Sequence, residues 1–341
     1  MRPSWQNPSN RFDATSRSYD EGEAPNVPVT LIDDASKSIL ASNDSPDVGF
    51  RYSVNPYRGC FHGCAYCYAR PTHEYLGYGA GTDFERTLVI KRRAPELLRE
   101  AFDRRSWEGE LVVFSGVTDC YQPVERELRL TQGCLEVCAE YRNPVGVITK
   151  SPLVERDIEL LAELGRVASA QVVVSVPFWD EEVARAMEPF VATPARRLKI
   201  VRRLAQAGIR VGLSVSPLVP GLGEDGVGEI LRAARDAGAS FAFAGALRLP
   251  GAVKEVFETR LRQELPLRAE KVLRRLREAN GGSLYDASFL TRGRGTGVYA
   301  DAMMKLFEGA ARAAGLLPSD TLETPRTFTR PVVPGTQLKL F

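Results

Sequence analysis

The sequence predicts an α/β fold built on one parallel sheet, and two observations lead to this prediction. Short apolar runs alternate with amphipathic helical segments through residues 48–249. Strands that are separated by crossover helices pair in parallel, with right-handed connections. Six strand–helix units can be counted in the sequence. Because a closed barrel of this kind contains eight, we expect an open, partial (β/α)6 TIM-type barrel.

The expected elements follow one another in a regular order. The strands are expected at Phe50–Val54, Glu110–Phe114, Val145–Thr149, Ala170–Ser175, Arg210–Ser216 and Phe241–Ala244. Helical periodicity places the crossover helices at Pro95–Phe102, Glu125–Tyr141, Leu153–Leu164, Ala195–Ala207 and Glu224–Ala237. A further helix is expected over Tyr66–Leu76, with Pro71 near its start and Gly77 at its end.

Three other regions flank the predicted barrel. Residues 1–47 are rich in Ser, Asn, Asp and Pro and predict an irregular N-terminal arm. Residues 250–316 predict a helical C-terminal extension, with helices over Val253–Gln263, Leu267–Asn280 and Ala300–Ala314. Residues 317–341 lack helical periodicity and predict a flexible tail.

The composition narrows the class of protein. A net charge of +2 over 341 residues does not by itself indicate a nucleic-acid-binding protein. No apolar run is long enough to cross a membrane, and the N-terminal residues lack the apolar core of a secretory signal. Six cysteines in a chain of this length do not form a disulfide framework, so we expect a reducing, cytoplasmic location.

Three cysteines stand close together directly after the first predicted strand. Cys60, Cys64 and Cys67 have the spacing C-x3-C-x2-C and lie beside Gly59 and Gly63. A [4Fe–4S] cluster held entirely by protein takes four thiolates, so three ligands would leave one iron open to an outside ligand.

A structural zinc site is the alternative for these cysteines, with His62 or His73 as the fourth ligand. Structural zinc ligands usually come as two close pairs. The 4-then-3 spacing of a single triplet at the start of an α/β domain therefore favours the iron–sulfur cluster.

The cysteine spacing, with Tyr66 and Tyr68 on either side of Cys67, resembles the radical S-adenosylmethionine (SAM) superfamily. Within it, the chain is similar to the spore photoproduct lyase-like branch, also called DNA repair photolyase-like. This resemblance implies a [4Fe–4S] cluster that binds and reductively cleaves SAM, and a radical that abstracts hydrogen from a substrate. It also implies an electron donor such as flavodoxin or ferredoxin.

The same resemblance implies roles for individual residues. Tyr68 matches a tyrosine that approaches SAM and relays hydrogen or an electron, and Tyr66 matches its companion, although aromatic packing would explain both. Three further positions resemble those that hydrogen-bond SAM, with Ser214 as a weaker candidate: Thr118, Lys150 and Ser175. An ammonium group at Lys150 suits the SAM carboxylate.

The rule that barrel enzymes place their chemistry at the carboxyl ends of the strands selects an overlapping set without any family knowledge. That set is Thr118, Asp119, Lys150, Ser175, Ser214, Ser216 and Arg248. Polar residues also occur at strand ends simply because the chain leaves the core there.

The chain departs from the lyase-like branch at one position. That branch has a hydrogen-donating cysteine after its second strand, where Gly116 stands here. Cys120 is a candidate to replace that thiol, or else a buried small hydrophobe. Its neighbours Asp119, Tyr121 and Gln122 are candidates to line the substrate pocket. Cys134 and Cys138 lie one helical turn apart among leucines and are expected in the core.

Two features suggest partners. The last residues include Gln337, Leu338, Leu340 and Phe341, which resemble the Gln-Leu-x-Leu-Phe peptide that docks onto the bacterial sliding clamp. A tail folded back on its own domain and chance are the alternatives. Several arginines of the late segment are candidates for phosphate contacts: Arg260, Arg262, Arg274, Arg275, Arg292 and Arg294. Interleaved glutamates make a solvated face of ion pairs an equal interpretation.

We therefore expect a radical SAM enzyme that abstracts hydrogen from a nucleic-acid base or nucleotide, in a lyase reaction or lesion repair. One alternative is the same chemistry on a peptide or small metabolite. The other is a noncatalytic clamp-associated adaptor with a structural metal site.

Overall fold

The computed structural model of the protein describes residues 6–8, 12, 17–18, 28–289, 291–318 and 325–331. Six parallel strands form the centre of the main sheet and pair in sequence order. They are β1 (Tyr52–Val54), β2 (Val112–Phe114), β3 (Val145–Thr149), β4 (Ala170–Ser175), β5 (Arg210–Leu218) and β6 (Phe241–Ala246). The predicted strands are thus confirmed in number, order and direction.

One short strand is added at each edge of this sheet. Leu40–Ser42 pairs antiparallel with β1, and Leu317–Pro318 pairs parallel with β6. Within the described part of the chain these two edge strands do not pair with one another. The barrel is therefore open, as the six strand–helix units predict.

The helices cover the outer face of the sheet. The five that connect successive strands are Ala94–Asp103, Leu130–Glu140, Ile158–Val167, Pro194–Gln206 and Val227–Asp236. The sheet and these helices share one large apolar core, which includes Cys134 and Cys138 as expected. Among the described residues no helix has both the length and the apolar character needed to cross a bilayer.

The helical segment after β6 divides between two cores. Val253–Glu264 and Pro266–Glu278 pack in a second apolar cluster that reaches Cys64, Ala65 and Tyr66. Val298–Ala313 instead buries Met303 and Phe307 in the main core, so it acts as the sixth helix of the barrel.

Two predicted helices differ from the observed structure. Residues 66–76 form two 3-10 turns, Arg70–Thr72 and Glu74–Leu76, because Pro71 and the buried Arg70 side chain prevent a continuous helix. The predicted helix Glu125–Tyr141 is interrupted at Arg129, which has a φ of 52°.

The Glu125 carboxylate explains this second interruption. It accepts hydrogen bonds from the backbone N–H groups of Thr131 and Gln132, at 2.9 and 3.2 Å. These are free N–H groups at the start of the helix Leu130–Glu140, which Glu125 therefore caps. Other short helices cover Thr82–Arg86, Glu181–Met187, Pro152–Asp157 and Glu224–Gly226.

Both terminal regions contain short ordered segments. In the N-terminal arm, Thr30–Asp33 joins Thr87–Ile90 and Tyr57–Arg58 in a three-stranded sheet. Gln6–Asn7 pairs with Arg17–Ser18. Residues 325–331, expected in a flexible tail, lie on the body of the protein, where Thr329 N–H donates to the Tyr141 carbonyl at 2.9 Å.

Candidate active site

The cysteine loop, residues 59–68, runs across the carboxyl ends of the first strands. Gly59 has a φ of 77°, and a Cβ atom there would lie 2.8 Å from the Thr87 carbonyl oxygen. A side chain at this position is therefore excluded by backbone conformation and by space. The loop can turn this tightly only because glycine stands directly before Cys60.

Arg70 stabilises the cysteine loop through hydrogen bonds to its backbone. Its fully buried guanidinium donates to the carbonyls of Gly63 and Cys64 at 2.9–3.1 Å and forms an ion pair with Glu85 at 2.7 Å. It also donates to the carbonyls of Ala80 and Gly81. Sequence reasoning missed this residue, since a single arginine three positions after the last cysteine gives no signal of its own.

A cavity of about 390 Å³ lies between the cysteine loop and the carboxyl ends of the strands. We call it the strand-end cavity. Most of the residues selected from the sequence line it: Cys60, Cys64, Cys67, Tyr66, Tyr68, Thr118, Asp119, Lys150, Ser175, Ser214, Ser216 and Arg248. Its volume falls within the range of small-molecule and cofactor sites.

The strand register places the expected SAM contacts side by side. Ser175, the last residue of β4, pairs directly with Ser214 of β5. Lys150 follows Thr149, which pairs with Val174. Three polar side chains from three consecutive strands therefore reach the same edge of the sheet.

The donor set of the cysteine loop fits an iron–sulfur cluster. In the described part of the chain no three His, Cys, Asp or Glu side chains converge on a common metal position. The Cys60 thiol is instead hydrogen-bonded to His62. A cysteine side chain rotates about one bond between staggered positions. All three cysteines line one cavity, and three thiols on one loop are the donor set that a [4Fe–4S] cluster with one open iron requires.

His62 and Asp119 form a buried pair next to Cys60. Their closest atoms, His62 Nδ1 and a carboxylate oxygen of Asp119, are 3.3 Å apart. Burial alone would lower the pKa of His62, but Cys60 and Asp119 raise it to about 10. Burial alone would raise the pKa of Asp119, but His62 and hydrogen bonds from Lys150 and Thr149 lower it to about 2.

The charged imidazolium acts in turn on the thiol. Burial opposes ionisation of Cys60, yet the neighbouring His62 lowers its pKa below the usual value. Since the thiolate is the form that binds iron, His62 favours the ligand state of Cys60.

Lys150 remains charged at the floor of the cavity. Burial alone would lower its pKa, but Cys64 and Glu188 hold the pKa above its ordinary value. Its ammonium lies 5.9 Å from the centre of the Tyr66 ring. This is a half-buried cation next to the cysteine loop, suited to a carboxylate.

The two tyrosines differ in their surroundings. Tyr66 is buried, packs against Phe178, and donates its hydroxyl hydrogen to Glu188. Glu188 also pairs with Arg197 at 2.5 Å, and Arg197 donates to the Ser175 carbonyl at 2.8 Å. Sequence reasoning missed both partners, because they come together only in the tertiary structure.

Tyr68 faces the cavity more openly. Its side chain is 49% exposed, and its hydroxyl donates to the Gly116 carbonyl at 2.7 Å. The Tyr68 phenol is therefore held beside Gly116.

Cys120 and Tyr121 are not among the residues that line the strand-end cavity. For Cys120 this agrees with the alternative of a buried small hydrophobe. Cys120 is fully buried in the main core, where its backbone N–H donates to Ser115 and its carbonyl accepts from Thr131. Tyr121 is equally buried and donates to Asp157 at 3.0 Å. The chain turns inward after Asp119, which points both side chains away from the cavity.

Gln122 and Thr118 support the cysteine loop. Gln122, also expected in the pocket, is buried, accepts from the Phe61 N–H and donates to the Gly59 carbonyl. Thr118 does line the cavity, but its hydroxyl hydrogen is donated to the Gly59 carbonyl at 2.7 Å. The structure thus gives both side chains a role in fixing the loop.

The arginines of the late segment form ion pairs or hydrogen bonds within the protein. Arg260 is buried and donates to the Ala186 carbonyl, so its predicted phosphate contact is wrong. The exposed Arg262 pairs with Glu258 and Glu270. The other arginines of this set also form ion pairs: Arg274 with Glu278, Arg275 with Glu224, Arg292 with Asp47, and Arg294 with Glu308. Gln337, Leu338, Leu340 and Phe341 lie outside the described residues.

The family model of the radical SAM superfamily matches residues 54–234, just over half of the chain. The chain therefore belongs to this superfamily. It is a radical SAM enzyme, and its cofactors are a [4Fe–4S] cluster and SAM. The noncatalytic adaptor with a structural metal is thereby set aside.

Similar proteins are known from bacteria and archaea. An uncharacterized protein from Mycobacterium tuberculosis is 36% identical over 231 residues, which cover 66% of this chain and 68% of the relative. An uncharacterized protein from Methanocaldococcus jannaschii is 29% identical over 174 residues, covering 51% of this chain and 62% of the relative.

Solved structures of spore photoproduct lyase have a similar fold. One variant has a TM-score of 0.59 at 19% identity. A second variant, with bound AdoMet and dinucleoside spore photoproduct, has a TM-score of 0.57 at 17% identity. Each comparison covers 85% of this chain and 81% of the other. At these identities the likeness shows the shared fold.

Proposed function

We propose that this radical SAM enzyme abstracts hydrogen from a nucleic-acid base or nucleotide, in a lyase reaction or the repair of a lesion. The observation that carries the proposal is the strand-end cavity, in which the cysteine loop, the expected SAM contacts and an open wall of small residues adjoin. Likeness to the lyase structure with bound AdoMet and dinucleoside photoproduct supports this class of substrate.

The roles of individual residues follow from their positions. Cys60, Cys64 and Cys67 would hold the cluster, which when bound supplies the electron that cleaves SAM and starts hydrogen abstraction. Lys150 would bind the SAM carboxylate as a half-buried cation. Ser175 and Ser214 would hydrogen-bond SAM from the adjacent strand ends.

Tyr68 is our candidate for the hydrogen relay. Its phenol lies in the cavity and is held at the Gly116 carbonyl, whereas Cys120 is in the core. Tyr66 would act by shaping the cavity wall beside Lys150, since its hydroxyl is already bound to Glu188.

The proposed partners are supported by fewer observations than the proposed residue roles. An electron donor such as flavodoxin or ferredoxin is required by the chemistry, and nucleic-acid contacts would involve the exposed Arg274 and Arg294. Docking of Gln337–Phe341 onto a sliding clamp is proposed from the sequence alone.

Substrate-dependent SAM cleavage tests the proposed substrate class. The protein would be purified without oxygen, reconstituted with iron and sulfide, and reduced with dithionite. We expect ultraviolet-irradiated DNA to increase 5′-deoxyadenosine formation, and a library of peptides to have no effect. Stimulation by peptides or small metabolites, with none by DNA, would instead support the same radical chemistry on another substrate.

A further inference from the structure

We propose that Arg248 binds an anionic group of the substrate, namely a phosphate of the nucleotide or of the nucleic-acid backbone. This inference rests on the proposed function and specifies how the strand-end cavity recognises its substrate. It starts from the pairing of cations with aromatic rings around Cys67.

Each of the two tyrosines beside Cys67 has one cation near its ring. The Lys150 ammonium lies 5.9 Å from the centre of the Tyr66 ring. The Arg248 guanidinium lies 5.5 Å from the centre of the Tyr68 ring. Both cations line the same cavity. The cavity therefore presents two separate positive groups.

Within the described residues, the acidic side chains near the cavity leave Arg248 without a carboxylate partner. SAM has a single carboxylate, for which Lys150 is the proposed partner. The two acidic residues that line the cavity are already engaged, Asp119 with His62 and Asp47 with Arg292. No carboxylate of a described residue forms an ion pair with Arg248. Arg248 is therefore available to an anionic group of a bound substrate.

The hydrogen bonding of Arg248 also indicates an anionic ligand. Its Nε atom is buried and has no hydrogen-bond partner among the described residues. A buried donor left unpaired is unfavourable, so such groups usually have a partner in the working state. A phosphate fits this need, because its oxygens accept two parallel hydrogen bonds from the guanidinium fork.

The position of Arg248 suits contact with a substrate. It follows β6, where the backbone is fixed by hydrogen bonds from Ala246 N–H to Gly293 and from Leu247 N–H to Leu218, at 2.9 and 3.1 Å. The preceding residues, Ala244–Ala246, line the cavity with small side chains and leave space beside the guanidinium. Ser216 supplies a hydroxyl on the same wall.

A dinucleotide and its uncharged counterpart provide the test. Thymidylyl-thymidine has one phosphodiester, and its methylphosphonate analogue has the same shape without the charge. Affinity for both would be measured by calorimetry on the reconstituted protein with SAM present. The variants are Arg248→Gln and Arg248→Lys. The matched control is Arg232→Gln, which changes an exposed arginine paired with Glu229 on a crossover helix.

We expect the wild-type protein to bind the phosphodiester at least about tenfold more tightly than the methylphosphonate. Arg248→Gln should remove this preference through an equal loss of phosphodiester affinity. Arg248→Lys should retain part of it, and Arg232→Gln all of it.

Three results would overturn the inference. Equal binding of both dinucleotides by the wild-type protein would refute the role of Arg248 and leave the proposed substrate class standing. A fall in SAM affinity as large as that for the dinucleotide in Arg248→Gln would assign the arginine to SAM. Failure of both dinucleotides to bind would reject the proposed substrate class, and the inference with it.

Discussion

The two ends of the parallel sheet are built in opposite ways. At the carboxyl end, charged and polar side chains surround the strand-end cavity. At the amino end, residues 325–331 cover the loops that lead into β2 and β3. There Phe328 packs against Phe102 and Tyr141, with ring centres 5.9 and 6.2 Å away. Arg330 donates to the carbonyls of Phe102, Arg104 and Trp107.

This difference separates function from stability. Buried charges such as those of His62, Asp119 and Lys150 are costly and persist only where neighbouring groups compensate them. Aromatic packing at the amino end carries no such cost. We therefore expect changes at the carboxyl end to affect chemistry first, and changes at the amino end to affect stability alone.

The largest effect is expected from the cysteine loop. Cys60→Ala, Cys64→Ala and Cys67→Ala should each abolish 5′-deoxyadenosine formation, because each removes one of the three proposed cluster ligands. The measurement is 5′-deoxyadenosine by liquid chromatography after anaerobic reconstitution. Cys138→Ala, a change of a buried core cysteine, is the control and should retain activity. Full activity in any loop variant would contradict the ligand assignment.

Arg70→Met should destabilise the carboxyl end by about 3–5 kcal/mol, because it removes one member of the buried ion pair with Glu85. Urea unfolding measures the free energy of unfolding, and iron content after reconstitution reports on the loop. The double variant Arg70→Met/Glu85→Gln should regain part of the loss. No recovery in the double variant would show that the carbonyl contacts of Arg70, and not the ion pair, dominate.

The pairing of Asp119 with His62 leads us to expect that the stability of the fold depends on pH. The pKa of Asp119 is about 2 in the folded protein, below its ordinary value of 3.8. A carboxylate with a lowered pKa stabilises the fold above its unfolded pKa, and this contribution is lost as the pH falls through the folded value. We expect about 2 kcal/mol to disappear between about pH 4 and 2. Asp119→Asn should flatten this part of the acid-unfolding curve, and an unchanged curve would contradict the pairing with His62.

Phe328→Ala should lower the free energy of unfolding by about 1–2 kcal/mol, since it removes a half-buried ring. Activity at 25 °C should not change, because this ring lies at the end of the sheet opposite the cavity. Thermal unfolding and SAM cleavage would be measured together, with Thr329→Ala as an exposed control. Loss of activity without loss of stability would contradict the assignment of function to the carboxyl end of the sheet and of stability to the amino end.

Much of the fold can be predicted from the sequence because the patterns that indicate it are local. The six strands follow from apolar runs between helices, and the spacing of Cys60, Cys64 and Cys67 indicates their joint role. Arg70, Glu188 and Arg197 could not be found in this way, because their partners lie elsewhere in the chain. The choice between the two interpretations of Cys120 was open for a similar reason, since its contacts with Ser115 and Thr131 place it in the core.

The C-terminal segment illustrates the same limit. Its composition indicates a flexible tail, but Phe328 finds a place beside Gly109, where a Cβ atom would lie 2.1 Å from the Cβ of Phe328. Such docking depends on a glycine more than two hundred residues earlier in the sequence. The composition of the C-terminal segment therefore cannot predict this packing of Phe328.

Isotope transfer tests the central claim most directly, namely that the strand-end cavity brings SAM and a nucleic-acid substrate together. The enzyme would be turned over with ultraviolet-irradiated DNA that contains deuterated thymidine, and 5′-deoxyadenosine and SAM would be analysed by mass spectrometry. The account predicts deuterium in one of them with the wild-type protein and none with Cys64→Ala. Formation of 5′-deoxyadenosine without deuterium from DNA, but with deuterium from a labelled peptide, would contradict it.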